Sequence, residues 1–338
     1  IAGNLGTTGL NRLTFEEVPV NEGLTDGVAP RITVRGSTGL DFGTFASVSE
    51  GLALVALSST DYVTDINVAG PQTNVRLGAG VHTLTTSRTI NSLYLEDGAI
   101  LNGNGFALFV DSGAMVLGNN AVINVETLNL SGRTYLTVDS GDTATINSTV
   151  IGAATAFSKV GNGKLILSGD NQYGGPTFIN EGILTINRST GLGSTAQGTA
   201  VRFGATLELE QTTFGSLNVT IEGLTLEGTG FNDMGAIRNV SGNNSWAGNI
   251  AQSGQNNNLL DVLDGYPVIN TSQVWYNVEG GSLNLSGAIS LNVEMIKLGA
   301  GQLELSGVFA NTFDNVTRVL EGTLLLNKEP GINAVINL

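Results

Sequence analysis

The side chains able to do chemistry in this 338-residue chain are few and scattered. His82 is the single histidine, and there is no cysteine. A zinc site would need several carboxylates in their place, and none fall at a metal-ligand spacing. His82 sits in Val81-His82-Thr83-Leu84-Thr85, an alternating stretch that reads as a strand carrying an exposed or hydrogen-bonded bystander. A Ser-His-Asp triad would have to use that histidine, yet the chain has no G-x-S-x-G turn to present the serine. Gly161-Asn-Gly163-Lys164 has the outline of a phosphate loop. Ser158 stands where the first glycine belongs, however, and Leu165 where Ser or Thr would hold magnesium, so it reads as a strand-opening turn.

Carboxylate pairs remain. Asp139/Asp142, Asp261/Asp264 and Asp61/Asp65 are the closest in sequence. Glycoside cleavage needs two carboxylates roughly 5–10 Å apart in a cleft, one of them holding its proton. Stacked strands about 4.8 Å apart could supply that spacing. The Asp-Asp, Asn-Thr-Asp, Gly-His-Gly and Arg-Ile-Lys signatures of polygalacturonase-like enzymes are all absent, and the pairs read as turn aspartates. No catalytic, cofactor-binding or metal-binding residue is assigned, and the chain reads as a non-enzyme.

The elements that would position any site repeat along the chain. A glycine followed by two apolar residues flanking a third occurs as Gly163-Lys-Leu165-Ile-Leu167, Gly182-Ile-Leu184-Thr-Ile186, Gly204-Ala-Thr-Leu207-Glu-Leu209 and Gly223-Leu224-Thr-Leu226. It returns at Gly281-Ser-Leu283-Asn-Leu285, Gly301-Gln-Leu303-Glu-Leu305 and Gly322-Thr-Leu324-Leu-Leu326. The steps between successive copies are 19, 23 and 17 residues, then 20 and 21. A period of this size marks a solenoid, each repeat being one rung stacked on its neighbours. Period-two alternation puts the flanking apolar residues inside and Lys164, Glu208, Asn284 and Glu304 outside. The expected fold is all-β, a right-handed parallel β-helix (β-solenoid) with loop excursions. At about 22 residues and ~4.8 Å per rung, ~15 rungs would make a rod of roughly 70 Å.

Composition agrees. The chain has 47 glycines, 6 prolines, 13% charged and 6% aromatic residues, and 41% hydrophobic residues with positive mean hydropathy. That is too apolar for a disordered linker and too poor in helix formers for a helical repeat. A net charge of −15 argues against nucleic acid as a partner, because phosphate neutralisation needs a basic face. It also disfavours adsorption to anionic lipid, and no apolar run approaches the ~18 residues of a membrane-spanning helix. The chain opens at Ile1 and ends within the pattern at Ile336-Asn-Leu338, which reads as a segment of something larger.

A longer repeat overlies the rungs. Lys159, Gly161, Gly163, Leu165, Leu167, Ser168 and Gly169 match Lys297, Gly299, Gly301, Leu303, Leu305, Ser306 and Gly307 at an offset of 138. Asn171, Thr177, Glu181, Gly182, Leu184 and Asn187 then match Asn311, Thr317, Glu321, Gly322, Leu324 and Asn327 at 140. The pattern K-x-G-x-G-x-L-x-L-S-G-x-N-x-Y-x-G-x-T-x-x-x-x-G-x-L-x-[IL] resembles the autotransporter-associated β-strand repeat of bacterial passenger domains. The first copy carries Tyr173 and Gly175 as well, whereas the second has Phe313 and Asn315 at those places. Residues 236–250 and 88–118 also look like segments such proteins carry, so the resemblance spans about 88–328. It implies a β-helical, extracellular or bacterial cell-surface protein in a family where the repeat is linked to export rather than catalysis.

Residues 1–75 fit the rungs less well and read as an irregular lead-in or laterally packed segment, with 76–338 as the solenoid and strong repeats at 159–188 and 297–328. Within the lead-in, Ser59 is a candidate cap for a short helical turn. Tyr94, Phe109, Trp246, Trp275 and Tyr276 form the candidate interaction surface, since outward aromatics stack on sugar rings or on a neighbouring protein. The chain thus reads as a non-enzymatic structural or adhesive rod, its partners being other copies, neighbouring repeats, or glycans of a host or neighbouring cell surface. The competing reading is a polysaccharide-binding or polysaccharide-cleaving β-helix of tail-spike or lyase type.

Overall fold

Parallel strands pair with the rung beneath them along almost the whole chain. The structure is a computed structural model that describes residues 14–15, 27–36, 39–48, 51–153, 156–211, 215–252, 273–290, 293–312 and 315–334. Two 11-stranded parallel ladders run its length. The first face extends from Gly80–Thr83 to Thr317–Val319, and the third from Tyr62–Val63 to Ile289–Ser290. The second face is a four-stranded ladder from Arg88–Ile90 to Thr149–Ile151, followed by a five-stranded ladder from Asn218–Val219 to Thr323–Lys328. Segments 171–174 and 191–194 bridge the two, with Gln172 N donating to Val150 O at 2.8 Å and Ser194 N to Tyr173 O at 2.9 Å. A typical rung visits the faces in order, as Ala99–Asn102, Leu108–Val110 and Ala114–Leu117. The turn between the first two is Asn104-Gly105, with φ of 51° and 84°, the left-handed pair that lets a chain reverse in two residues.

Alternation places the core. Leu165, Leu167, Leu207, Leu209, Leu283, Leu285, Leu303 and Leu305 are fully buried in one continuous column. Lys164, Asn284 and Glu304 point outward and are half-buried. Glu208 does not meet solvent as expected: it leaves the core side of its strand but is 0% exposed. Lys164 Nζ lies 2.7 Å from its carboxylate, Arg238 bonds its other oxygen, and Thr185 Oγ1 donates at 2.8 Å. Burial would raise this carboxyl, but the hydrogen bond and charge of Lys164, helped by Thr185 and Arg238, bring it below the ordinary range.

The rod is shorter than the sequence reading predicted. Eleven strands per ladder at ~4.8 Å give about 50 Å rather than 70 Å, because the described strands before Tyr62 add no rungs. Instead, Ala29–Gly36, Gly39–Val48 and Gly51–Ala56 form an antiparallel sheet, with Thr14–Phe15 pairing at its edge. This sheet lies on the outside of the third face, where Val28, Phe42 and Leu57 pack on Ala114 and Val116. Arg76 pins it, reaching Asp41 at 2.9 Å while stacking 4.4 Å from the Tyr94 ring centroid. A single 3-10 turn, Ser59–Asp61, follows, capped by Ser58 rather than Ser59. Ile66 and Ala69 then fold across the first rung and join the core.

The two long repeats occupy different corners. In the first, Phe157–Val160 lies on the third face and Lys164–Leu167 on the first. In the second, Glu294–Leu298 lies on the first face and Gln302–Gly307 on the second. Each opens with a fully buried lysine whose ammonium fills the turn it precedes. Lys159 Nζ donates to Val160 O at 3.1 Å, Gly161 O at 2.6 Å and Glu181 O at 3.1 Å. Lys297 Nζ repeats this on Leu298 O, Gly299 O and Glu321 O at 2.6, 2.7 and 3.1 Å. Burial pushes the Lys159 ammonium down to about 7, against the pull of the Glu181 charge. Gly161 and Gly299 are required beside it: φ is 76° and 77°, and a Cβ would stand 2.3 Å from Val138 O and 2.4 Å from Val278 O.

Two stability predictions follow from this packing. Leu303→Ala removes three carbons from a closed column and is expected to cost about 2–5 kcal/mol. Glu304→Ala should change stability by no more than about 0.5 kcal/mol, and equal losses in urea denaturation would contradict the assigned register. Lys159→Met leaves three turn carbonyls without a donor and is expected to cost about 1–3 kcal/mol, read as a lowered urea midpoint with unchanged slope. An unshifted midpoint would mean that water replaces the ammonium at no cost.

Candidate interaction surface

The five aromatics do not form one platform. Trp246 and Tyr276 lie inside the core at 0% exposure, and Trp246 Nε1 donates to Glu222 O at 2.8 Å. They are core residues rather than surface ones, because Trp246 pairs in register with Leu285 and therefore shares its inward side. Tyr94 does face outward, but the lateral sheet covers it. Its ring meets Phe42 edge-on at 6.4 Å, and its hydroxyl donates to Leu40 O at 3.0 Å. Phe109 and Trp275 remain half-buried on the outside. They stand on different faces, Phe109 on the second between Thr89 and Asn129, Trp275 on the first beside Ile296. Trp275 Nε1 is held by Gln273 Oε1 at 3.1 Å.

The groups weighed for chemistry are engaged structurally. His82 is half-buried and bonds Gly78 O at 2.8 Å through Nε2. Asp139 is bound by Arg35 of the lateral sheet and also accepts from Ser140 N at 2.7 Å. Desolvation, reinforced by the charges of Asp97 and Asp139, raises the Asp142 carboxyl. Asp65 caps a turn by accepting from Asn67 N at 2.9 Å, and Asp61 closes the 3-10 turn. Asp261 and Asp264 lie outside the described residues, as do Gln255–Asn258 and Phe313. The Gly161–Lys164 segment is the turn joining two strands. No cluster of three metal-ligating side chains occurs among the described residues.

What the outside offers instead is regular rows. On the first face, Asn147 Nδ2 donates to Asn124 Oδ1 at 2.8 Å, and Asn124 Nδ2 to Asn102 Oδ1 at 3.0 Å. Beside this ladder run Val81, Ile100, Val122, Thr145 and Ile166, one per rung and pointing the same way. The asparagines of the long repeat serve a different end: Asn171 Oδ1 accepts from Val150 N at 2.9 Å and Asn311 Oδ1 from Ile289 N at 3.0 Å, stitching turns together. The sequence left buried carboxylates unsuspected, among them Glu208 and Glu222, the latter 1% exposed.

Comparison with known proteins places these features. The passenger-associated-transport-repeat family matches residues 157–186 and 295–326, the two segments that open with the buried lysines. The adhesin BmaC autotransporter of Brucella suis biovar 1 (strain 1330) is 27% identical over 310 residues, covering 75% of this chain and 9% of the relative. The chain therefore corresponds to less than a tenth of that protein's length. No solved structure matches it. The chain thus carries two passenger-associated-transport repeats set in a continuous parallel ladder and is similar to an autotransporter adhesin.

Proposed function

We propose that the chain is a non-enzymatic, adhesive β-helical segment of a larger protein displayed on or released from a bacterial surface, acting by presentation, adhesion or assembly. The observation that carries this reading is the unbroken pair of 11-stranded ladders over one apolar column. A rod of that kind supplies reach and resistance to unfolding without any site, and its outer rows repeat at the rung spacing. Among the described residues His82 is spent on a turn and Asp139 on docking the lateral sheet, and a relative is an adhesin. The acidity of the chain, −15 overall, favours neutral glycans or protein surfaces over nucleic acid as partners.

Beads coated with the purified chain should be retained on cells or on a panel of immobilised neutral and acidic glycans, while releasing no reducing ends or unsaturated products. Phe109→Ala and Trp275→Ala, each on its own face, should report which face engages. No retention on any surface would overturn the adhesive role. Product release that Asp139→Asn abolishes would replace it with polysaccharide cleavage.

A further inference from the structure

The turn before strand Leu224–Leu226 combines a strained residue with a buried acid. Ile221 is β-branched, has a φ of 51° and is 74% exposed, a left-handed conformation that side chains of its type rarely adopt. The next residue, Glu222, turns into the rod and is 1% exposed. Its Oε1 accepts from Thr199 Oγ1 at 2.7 Å, while Oε2 has no partner. Its backbone carbonyl receives the Trp246 indole at 2.8 Å, and Gly248 packs so tightly against it that a Cβ there would sit 1.8 Å away.

The neighbours of Glu222 supply no counter-charge. Strand Thr199–Val201 brings Thr199, the Asn243–Trp246 strand and the turn after it bring Trp246 and Gly248, and segment 171–174 brings Tyr173. None of these segments contains Lys or Arg. Tyr173, the titratable group among them, is fully buried with its hydroxyl 2.6 Å from Thr177 Oγ1. A neutral carboxyl is tolerable in such surroundings, whereas an ionised one with a single hydrogen bond is not.

We propose that residues 220–223 are a pH-operated latch, in which protonated Glu222 holds the strained turn over Trp246 and its ionisation drives the carboxylate outward, relaxing Ile221 and uncovering the indole. Burial pushes the Glu222 carboxyl up to about 7, with the Thr199 hydrogen bond opposing. The native state therefore keeps a proton that the unfolded chain releases near 4.5. The resulting stability is complete below about 4.5 and is lost as pH rises through about 7. The latch stands independently of the adhesive role.

Tryptophan emission and urea midpoints of the whole chain, followed from about pH 5 to 8.5, test it. The emission should shift to the red as pH passes about 7, and the urea midpoint should be lower at the alkaline end. Glu222→Gln, which keeps the shape without the charge, should abolish the emission step and remove the fall in urea midpoint below about 7, leaving the separate contribution of Lys159 above it. Trp246→Phe should remove the emission step and leave the urea step. A wild-type emission that does not vary with pH, or an emission step and urea curve in Glu222→Gln that match wild type, overturns the latch. Should Glu222→Gln fail to fold, carboxyl NMR of glutamate-labelled wild type decides. A resonance titrating near 7 supports the latch, and no glutamate titrating above about 6 overturns it.

Discussion

Parallel strands send their hydrogen bonds to the next rung, so no turn of this solenoid satisfies its own backbone. Each rung is stable only while the one beneath it holds register, and register is set by which side chains face inward. That dependence explains why Leu-x-Leu recurs so strictly while turn lengths vary. A turn residue costs little, whereas a slip of one position inside a strand would bury Lys164 and expose Leu165. It also explains the drift between the long repeats from an offset of 138 to one of 140: the extra residues fall between Gly307 and Asn311, outside any strand.

Stacking also sets where charge can be hidden. Lys159 and Lys297 sit at 0% exposure because three backbone carbonyls converge on each ammonium. The lysine does for the turn what a second strand does for a ladder. On the outer side of the first face, Lys164, Glu208, Arg238 and Glu279 alternate in sign along the rod, Lys164 reaching past the Gly182–Ile186 strand to Glu208 and Arg238 joining Glu208 to Glu279. Glu222 has no such ladder, which is why its burial raises the carboxyl whereas that of Glu208 ends lowered.

The solenoid was readable because its signal is local and repeated: glycine, then apolar residues two apart. What escaped reading lacked that property. Asn244 takes the place of the first Leu in the rung that ends at Trp246, so the inward pair Asn244/Trp246 was hidden, although it stacks on Leu283/Leu285. Tyr276 lies between Val274 and Val278 on the inward side, and the alternation was there to be followed. The repeated lysine was visible as a matched position, but its partners are backbone carbonyls, which have no sequence. The cover over Tyr94 depends on Ala114 and Val116 being apolar on the outside of their strand, a hint that means nothing until a second sheet is known to lie there.

The placement of the repeats bears on recognition. One copy spans the corner from third face to first and the other the corner from first to second, with the same lysine lock and the same glycines. A motif that builds either corner equally well cannot direct a partner to a particular face. Under the proposed adhesive role, specificity would then come from residues the motif leaves free, the outward members of each strand. Those differ from face to face: an asparagine ladder with a β-branched row on the first, Phe109 among Thr89 and Asn129 on the second, and a docked antiparallel sheet on the third. The core-forming and outward residues therefore occupy alternate positions of the same strands, and substitution on the outside can proceed without disturbing the column.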